Sequence, residues 1–230
     1  MNSEYYDLLG FLGYGEPNKS IWFIANEEQG PITEGDNQLW EKWLHEKCQS
    51  EAQVKVTLDE RTVPIRFTPW RKGDEDKYPG YRRCARVVEM QRGLTRSEET
   101  WKQALLVNLF ILPSINEDKG KNWTPWLSTK LGADKWTWQE YVINVRKARS
   151  IILAEAAARY RPEAIITMGI DAGTLLADPD FQRRIGGIQP AIQVTQAICH
   201  PAQRALNSLR LSDDDWIVDL VQKVKNKASK

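Results

Sequence analysis

The chain has 230 residues, 41% hydrophobic and 27% charged, with a formal net charge of +1. That length suits one domain with a buried core, and so even a charge balance neither demands nor excludes a nucleic-acid partner. Cys48, Cys84 and Cys199 are odd in number and far apart, which argues against a disulfide framework and against a cysteine-based metal site.

No apolar run reaches the length of a membrane span. The first residues, Met1 to Asp7, lack a basic stretch followed by an apolar one, so no secretory signal is expected and a reducing cytoplasm is the default compartment. Along the chain, Ser20 to Ala25 carries Ile21, Trp22, Phe23 and Ile24 after Gly15-Glu16-Pro17-Asn18, and reads as a buried strand. Asn37 to Ala52 places Leu39, Trp40, Trp43, Leu44 and Cys48 at helical spacing, with Asp36 as the N-cap. Alternation from Val54 to Phe67 predicts a hairpin or an extended insert, within a candidate insertion at 53–80.

Arg82 to Leu94 reads as a helix, with Gly93 near its end where positive φ is useful. Ala104 to Leu112 is a second apolar strand closed by Pro113-Ser114, and a long irregular loop at 113–137 is expected after it. Trp138 to Arg159 is a long helix stopped before Arg161-Pro162. Ala164 to Met168 is the third strand, Asp171 to Ala177 a short helix, and Ala191 to Ile198 the fourth strand. Asp213 to Lys225 closes the chain as a helix capped by Ser212, and the basic residues from Lys223 to Lys230 are expected to fray.

Positive charge gathers at Arg71-Lys72, Lys77, Arg82-Arg83 and Arg86, interrupted by Asp74, Glu75 and Asp76. A solvated mixed-charge face accounts for this better than a phosphate groove does. Ten tryptophans are many for this length, and most belong in a core, because an indole buries a large apolar area.

Strands that are apolar throughout and separated by helices imply a sheet covered on both faces. The expected fold is a three-layer α/β/α domain over 1–230 with a central, mainly parallel four-stranded sheet. Ligands of such folds gather beyond the carboxyl ends of the strands. The residues there are Asn26, Glu27 and Glu28, then Asn108, then Gly169 and Asp171, and finally His200, one of two histidines.

In this order the chain resembles the uracil-DNA glycosylase superfamily from about Ser20 to Leu206. Ile21-Trp22-Phe23-Ile24-Ala25-Asn26-Glu27 is similar to a strand followed by a water-positioning acid or amide. Leu105-Leu106-Val107-Asn108 is similar to the strand whose asparagine reads the uracil edge. Arg161 to Ala172 looks like the family's structural strand and turn, and Cys199-His200-Pro201-Ala202 like its His-Pro-Ser loop. The resemblance implies a metal-independent DNA base N-glycosylase without cofactor, acting on uracil or another deaminated base in DNA. It assigns catalysis to Asn26, Glu27 and His200, and substrate binding to Asn108, Gly169 and Pro201.

The chemistry needs these residue types. Breaking the N-glycosidic bond leaves positive charge on the sugar and negative charge on the base oxygen. An acceptor near the sugar holds the attacking water, and a neutral histidine stabilises the departing anion. An asparagine amide pairs with a pyrimidine edge, after the base has left the stack. Plainer readings stand beside these: Asn108 as a turn cap, Glu27 and Glu28 as surface residues, His200 as a turn histidine, Asp171 as a helix N-cap, Cys199 as a small buried hydrophobe, and Trp40 as core.

Three positions depart from the family pattern. Ala25 stands where glycine is usual, Glu28 where proline is usual, and Ala202 replaces a phosphate-contacting serine. These departures favour an alternative, a non-catalytic protein that binds nucleic acid or a nucleotide in the same crevice. A small-molecule hydrolase using that crevice is a third reading.

Overall fold

The four apolar runs expected as strands lie side by side and parallel in the computed structural model, which describes residues 2–18, 20–29, 37–53, 79–95, 100, 103–114, 125–186, 193–196 and 212–228. In chain order the elements are α1 (Ser3–Leu9), β1 (Gly13–Gly15), β2 (Ile21–Gln29), α2 (Asn37–Gln49), β3 (Ala52–Gln53), α3 (Pro79–Arg92) and β4 (Ala104–Ser114). There follow α4 (Pro125–Lys130), α5 (Trp138–Tyr160), β5 (Ala164–Thr167), α6 (Ile170–Thr174), a 3-10 turn (Leu175–Ala177), α7 (Pro179–Gly186), β6 (Gln193–Gln196) and α8 (Asp213–Ala228). The sheet runs β3-β1-β4-β2-β5-β6.

Strand alternation sorts the apolar residues into two cores. Ile21, Phe23, Ala25, Ala104, Leu106, Ala164, Ile166 and Met168 pack beneath Cys84, Val87 and Val88 of α3 and Trp216, Ile217, Leu220, Val221 and Val224 of α8. Their neighbours Trp22, Ile24, Leu105, Val107 and Ile165 point the other way, to Leu8 of α1, Tyr141, Val145 and Leu153 of α5, and Phe181 and Ile185 of α7. Each fully buried side chain of this size contributes roughly 1.5–3 kcal/mol. Helices cover both faces of the sheet, an α/β arrangement compatible with three layers.

Local chemistry explains the helix ends. Thr137 and Glu140 form a reciprocal capping box at the start of α5, and Arg161 ends that helix at φ +50°, just before Pro162. Ser212 Oγ accepts from the Asp215 amide at 3.1 Å while Asp215 returns the bond, so the expected cap of α8 is present. At the end of α3 the Leu94 amide donates to Glu89 O at 2.9 Å around Gly93, whose φ is +67°.

Several expectations change. The parallel strands are extended by two short ones, β1 antiparallel to β4 and β3 parallel to β1. Strands of three and two residues, the first of them Gly13-Tyr14-Gly15, are too short to show periodicity. A Cβ on Gly13 or Gly15 would stand 2.0 or 2.1 Å from the carbonyl oxygens of Leu106 and Ala104, so only glycine lets β1 lie against β4 there.

Parts of the stretch at 113–137 expected as an irregular loop are regular, and 115–124 lie outside the described residues. β4 runs through Ser114, because the β2 pairing continues to Gln29 opposite Ser114, and α4 occupies Pro125–Lys130. Gly169, not Asp171, is the N-cap of the short helix, which starts one residue earlier than Asp171. α7 was not anticipated, and Asp178 caps it by accepting from the Asp180 and Phe181 amides at 2.9 and 3.0 Å. α8 continues to Ala228, so most of the basic tail is helical rather than frayed. Asp36, the alternation at Val54 to Phe67 and most of the insertion at 53–80 lie outside the described residues.

Candidate functional site

The order of the parallel strands selects one place on the rim. Taken along the chain, β2, β4, β5 and β6 are the first to fourth parallel strands, so the sheet order reads 2-1-3-4. The chain leaves β2 toward β4 on one side and leaves β5 toward β6 on the other. Between the carboxyl ends of β2 and β5 the connections diverge, and open α/β sheets bind ligands at such switch points.

Asn26 and Gly169 meet there. Ile24 pairs with Thr167, and the Met168 amide extends the ladder by donating to Ile24 O at 2.7 Å. Asn26, two residues past Ile24, then uses its side-chain oxygen to accept from the Ala172 amide at 2.9 Å. Gly169 offers α6 no side chain for capping, so the neighbouring strand supplies the cap. Gly169 has φ +91° and ψ 171°, a conformation essentially restricted to glycine. Space is not the constraint, since a Cβ there would lie an ordinary 3.6 Å from Asn26 Oδ1.

Asn108 sits one register step away, opposite Ala25 in the β2–β4 ladder. By alternation Asn108 falls with Ala104 and Leu106 on the α3/α8 side, whereas Asn26 falls with Trp22 and Ile24 on the α5 side. Both asparagines are half-buried. The backbone of Asn108 is anchored by Arg149, a fully buried residue of α5, whose Nη2 donates to Asn108 O at 2.9 Å. Nη1 of the same guanidinium donates to Leu9 O at 2.7 Å and Phe11 O at 2.8 Å. Burial lowers the Arg149 pKa to about 10, which still leaves it charged at neutral pH.

Arg149 escaped the sequence reading, although a signal was there. It occupies the i+4 ladder Tyr141, Val145, Arg149, Leu153, Ala157 that forms the buried stripe of α5. A charged residue in an apolar stripe must find partners inside the fold.

Glu27 lies in β2 in register with Phe110, and its side chain, like that of Glu28, lies outside the described residues. So do His200, Pro201, Cys199 and Ala202, and the side chain of Asp171. Beyond Asn108, Phe110, Trp138 and Tyr141 form an aromatic cluster with ring centroids 5.4 to 6.1 Å apart, and the Tyr141 hydroxyl accepts from the Leu112 amide at 2.9 Å.

In the basic segment Arg83 is buried, contrary to a solvated face, while Arg86 is exposed and pairs with Glu89 at 3.3 Å. Arg71, Lys72 and Lys77 lie outside the described residues. Trp22 and Trp216 are fully buried, as expected of core indoles, and Trp136 and Trp138 pack against the core partly exposed.

The rim thus offers two amides on adjacent strands, one holding a helix start and one held by its own carbonyl. Among the described residues no group of histidine, cysteine or carboxylate side chains is arranged to hold a metal, and no helix is long and apolar enough to cross a membrane. In comparison with known proteins, the chain matches no family model and no curated sequence.

Proposed function

We propose that the protein is a DNA base N-glycosylase of the uracil-DNA glycosylase type, working at the carboxyl ends of β2, β4 and β5. The observation that carries this reading is the 2-1-3-4 order of the parallel strands, with Asn26 and Gly169 at the point where the connections diverge and Asn108 on the next strand. The resemblance of the strand-end residues supplies the chemistry.

The geometry refines the roles. Asn26 Oδ1 already accepts from Ala172 N, so Asn26 serves first as a frame that fixes the turn after β5. Water positioning then passes to Glu27, whose carboxylate is the stronger acceptor and can stabilise a developing sugar cation. Asn108 reads the base edge, with its amide supplying both a donor and an acceptor. His200, followed by Pro201, stabilises the leaving base. The protein requires no metal or cofactor for this chemistry, and its partner is DNA.

The test is base release by purified protein from single- and double-stranded oligonucleotides that contain uracil, hypoxanthine or xanthine. Alkali-labile sites at the modified base support the reading, and intact strands on all three substrates reject it. The engagement of Asn26 in capping, together with Ala25, Glu28 and Ala202, favours one second reading, a non-catalytic protein that binds nucleic acid in the same crevice. Salt-dependent oligonucleotide binding without base release would select it.

A further inference from the structure

We infer that Arg149 is a positioning residue for Asn108: by its bond to the Asn108 carbonyl it sets the height at which the Asn108 amide is presented. This inference rests on the reading of Asn108 as the base-contacting residue.

The antiparallel register shows where the guanidinium reaches the strand. Glu16 N donates to Ala104 O at 3.0 Å, and Tyr14 pairs with Leu106. The next hydrogen-bonded pair in this register would set Leu12 opposite Asn108. Gly13, at φ +153°, intervenes, and the Leu12 amide donates instead to Glu51 O at 2.7 Å, toward β3. The Leu12 amide is thus turned to β3 at the level where the Asn108 side chain would work. Arg149 Nη2 donates to the Asn108 carbonyl at 2.9 Å from within the core. Nη1 holds the Leu9 and Phe11 carbonyls at 2.7 and 2.8 Å, so one rigid fork fastens the turn between α1 and β1 to the rim of β4.

The substitution that asks the question is Arg149→Lys, which keeps the charge but not the planar fork. Arg149→Met serves as a second variant, and circular dichroism confirms folding. The first readout needs no activity: in nitrogen-proton spectra, Arg149→Lys should displace or broaden the side-chain amide resonances of Asn108 and leave those of Asn26 in place. The second is a double-mutant cycle on uracil release. Arg149→Lys should lower kcat/KM by about 100-fold, and by about twofold or less once Asn108 is already alanine.

Unchanged Asn108 resonances, or an equal loss in both backgrounds, would overturn the positioning role. Absence of release by the wild-type protein would reject the glycosylase reading instead. In that case the spectra alone decide the Arg149 inference.

Discussion

Two asparagines at one rim are secured in opposite ways. Asn26 gives up a side-chain lone pair to hold the start of α6, and its neighbour Gly169 accepts a backbone conformation that other residues avoid. Asn108 is held at its main-chain carbonyl by Arg149, a donor from the core rather than from a neighbouring strand. The contrast teaches that residue type at a strand end does not by itself reveal role. An asparagine whose oxygen caps a helix is part of the frame. One whose backbone is clamped from below is equipped to present its amide.

That difference should be visible when each residue is altered. The largest effect is expected from Arg149→Met, which leaves three buried carbonyls without their donor and should cost on the order of 3 kcal/mol in urea denaturation. Next comes Gly169→Ala, where the φ of +91° should cost about 1–3 kcal/mol by the same measurement. Asn26→Ala should lose about 1 kcal/mol with its helix cap, a drop in Tm of about 2–4 °C in a chain of this size. Asn26→Asp keeps the acceptor and should remain closer to wild type. If Asn26→Ala proves as stable as wild type, the frame role is wrong.

The smallest effect concerns pH. Hydrogen bonds from the Thr137 backbone and hydroxyl hold the Glu140 carboxyl below its ordinary range, and those from the Ser212 hydroxyl and backbone do the same for Asp215. Depressed folded-state values mean that the stabilisation is complete above the ordinary carboxylate range and is lost as pH falls through the folded-state values. Thr137→Ala should therefore lower Tm at neutral pH and flatten the acid limb of the stability profile, the variant and wild type converging as pH falls. An unchanged acid slope would sever the capping box from that pH dependence.

Much of the fold was legible in the residues themselves. Ile21-Trp22-Phe23-Ile24 and Ala104 to Leu112 could only be buried strands, and Arg161-Pro162 had to end the long helix. β1 and β3 were hidden because they are too short for a period of two to register. α4 was hidden because a helix of six residues carries little pattern. Asn26, Asn108 and Gly169 could be placed at strand ends from sequence, but the bond from Ala172 to Asn26 joins residues 146 positions apart. Arg149 to Asn108 spans 41 positions, and only the interruption of the α5 stripe hinted at it. Pairings of that reach follow from topology, not from local spacing.

The most direct measurement is single-turnover release of free uracil from DNA by wild type and Asn108→Ala, with both melting temperatures recorded. The account predicts release by wild type, its loss in the variant, and a difference in Tm of less than about 3 °C, because the Arg149 clamp on the backbone survives. No release by the wild-type protein, or equal release by both, would contradict it.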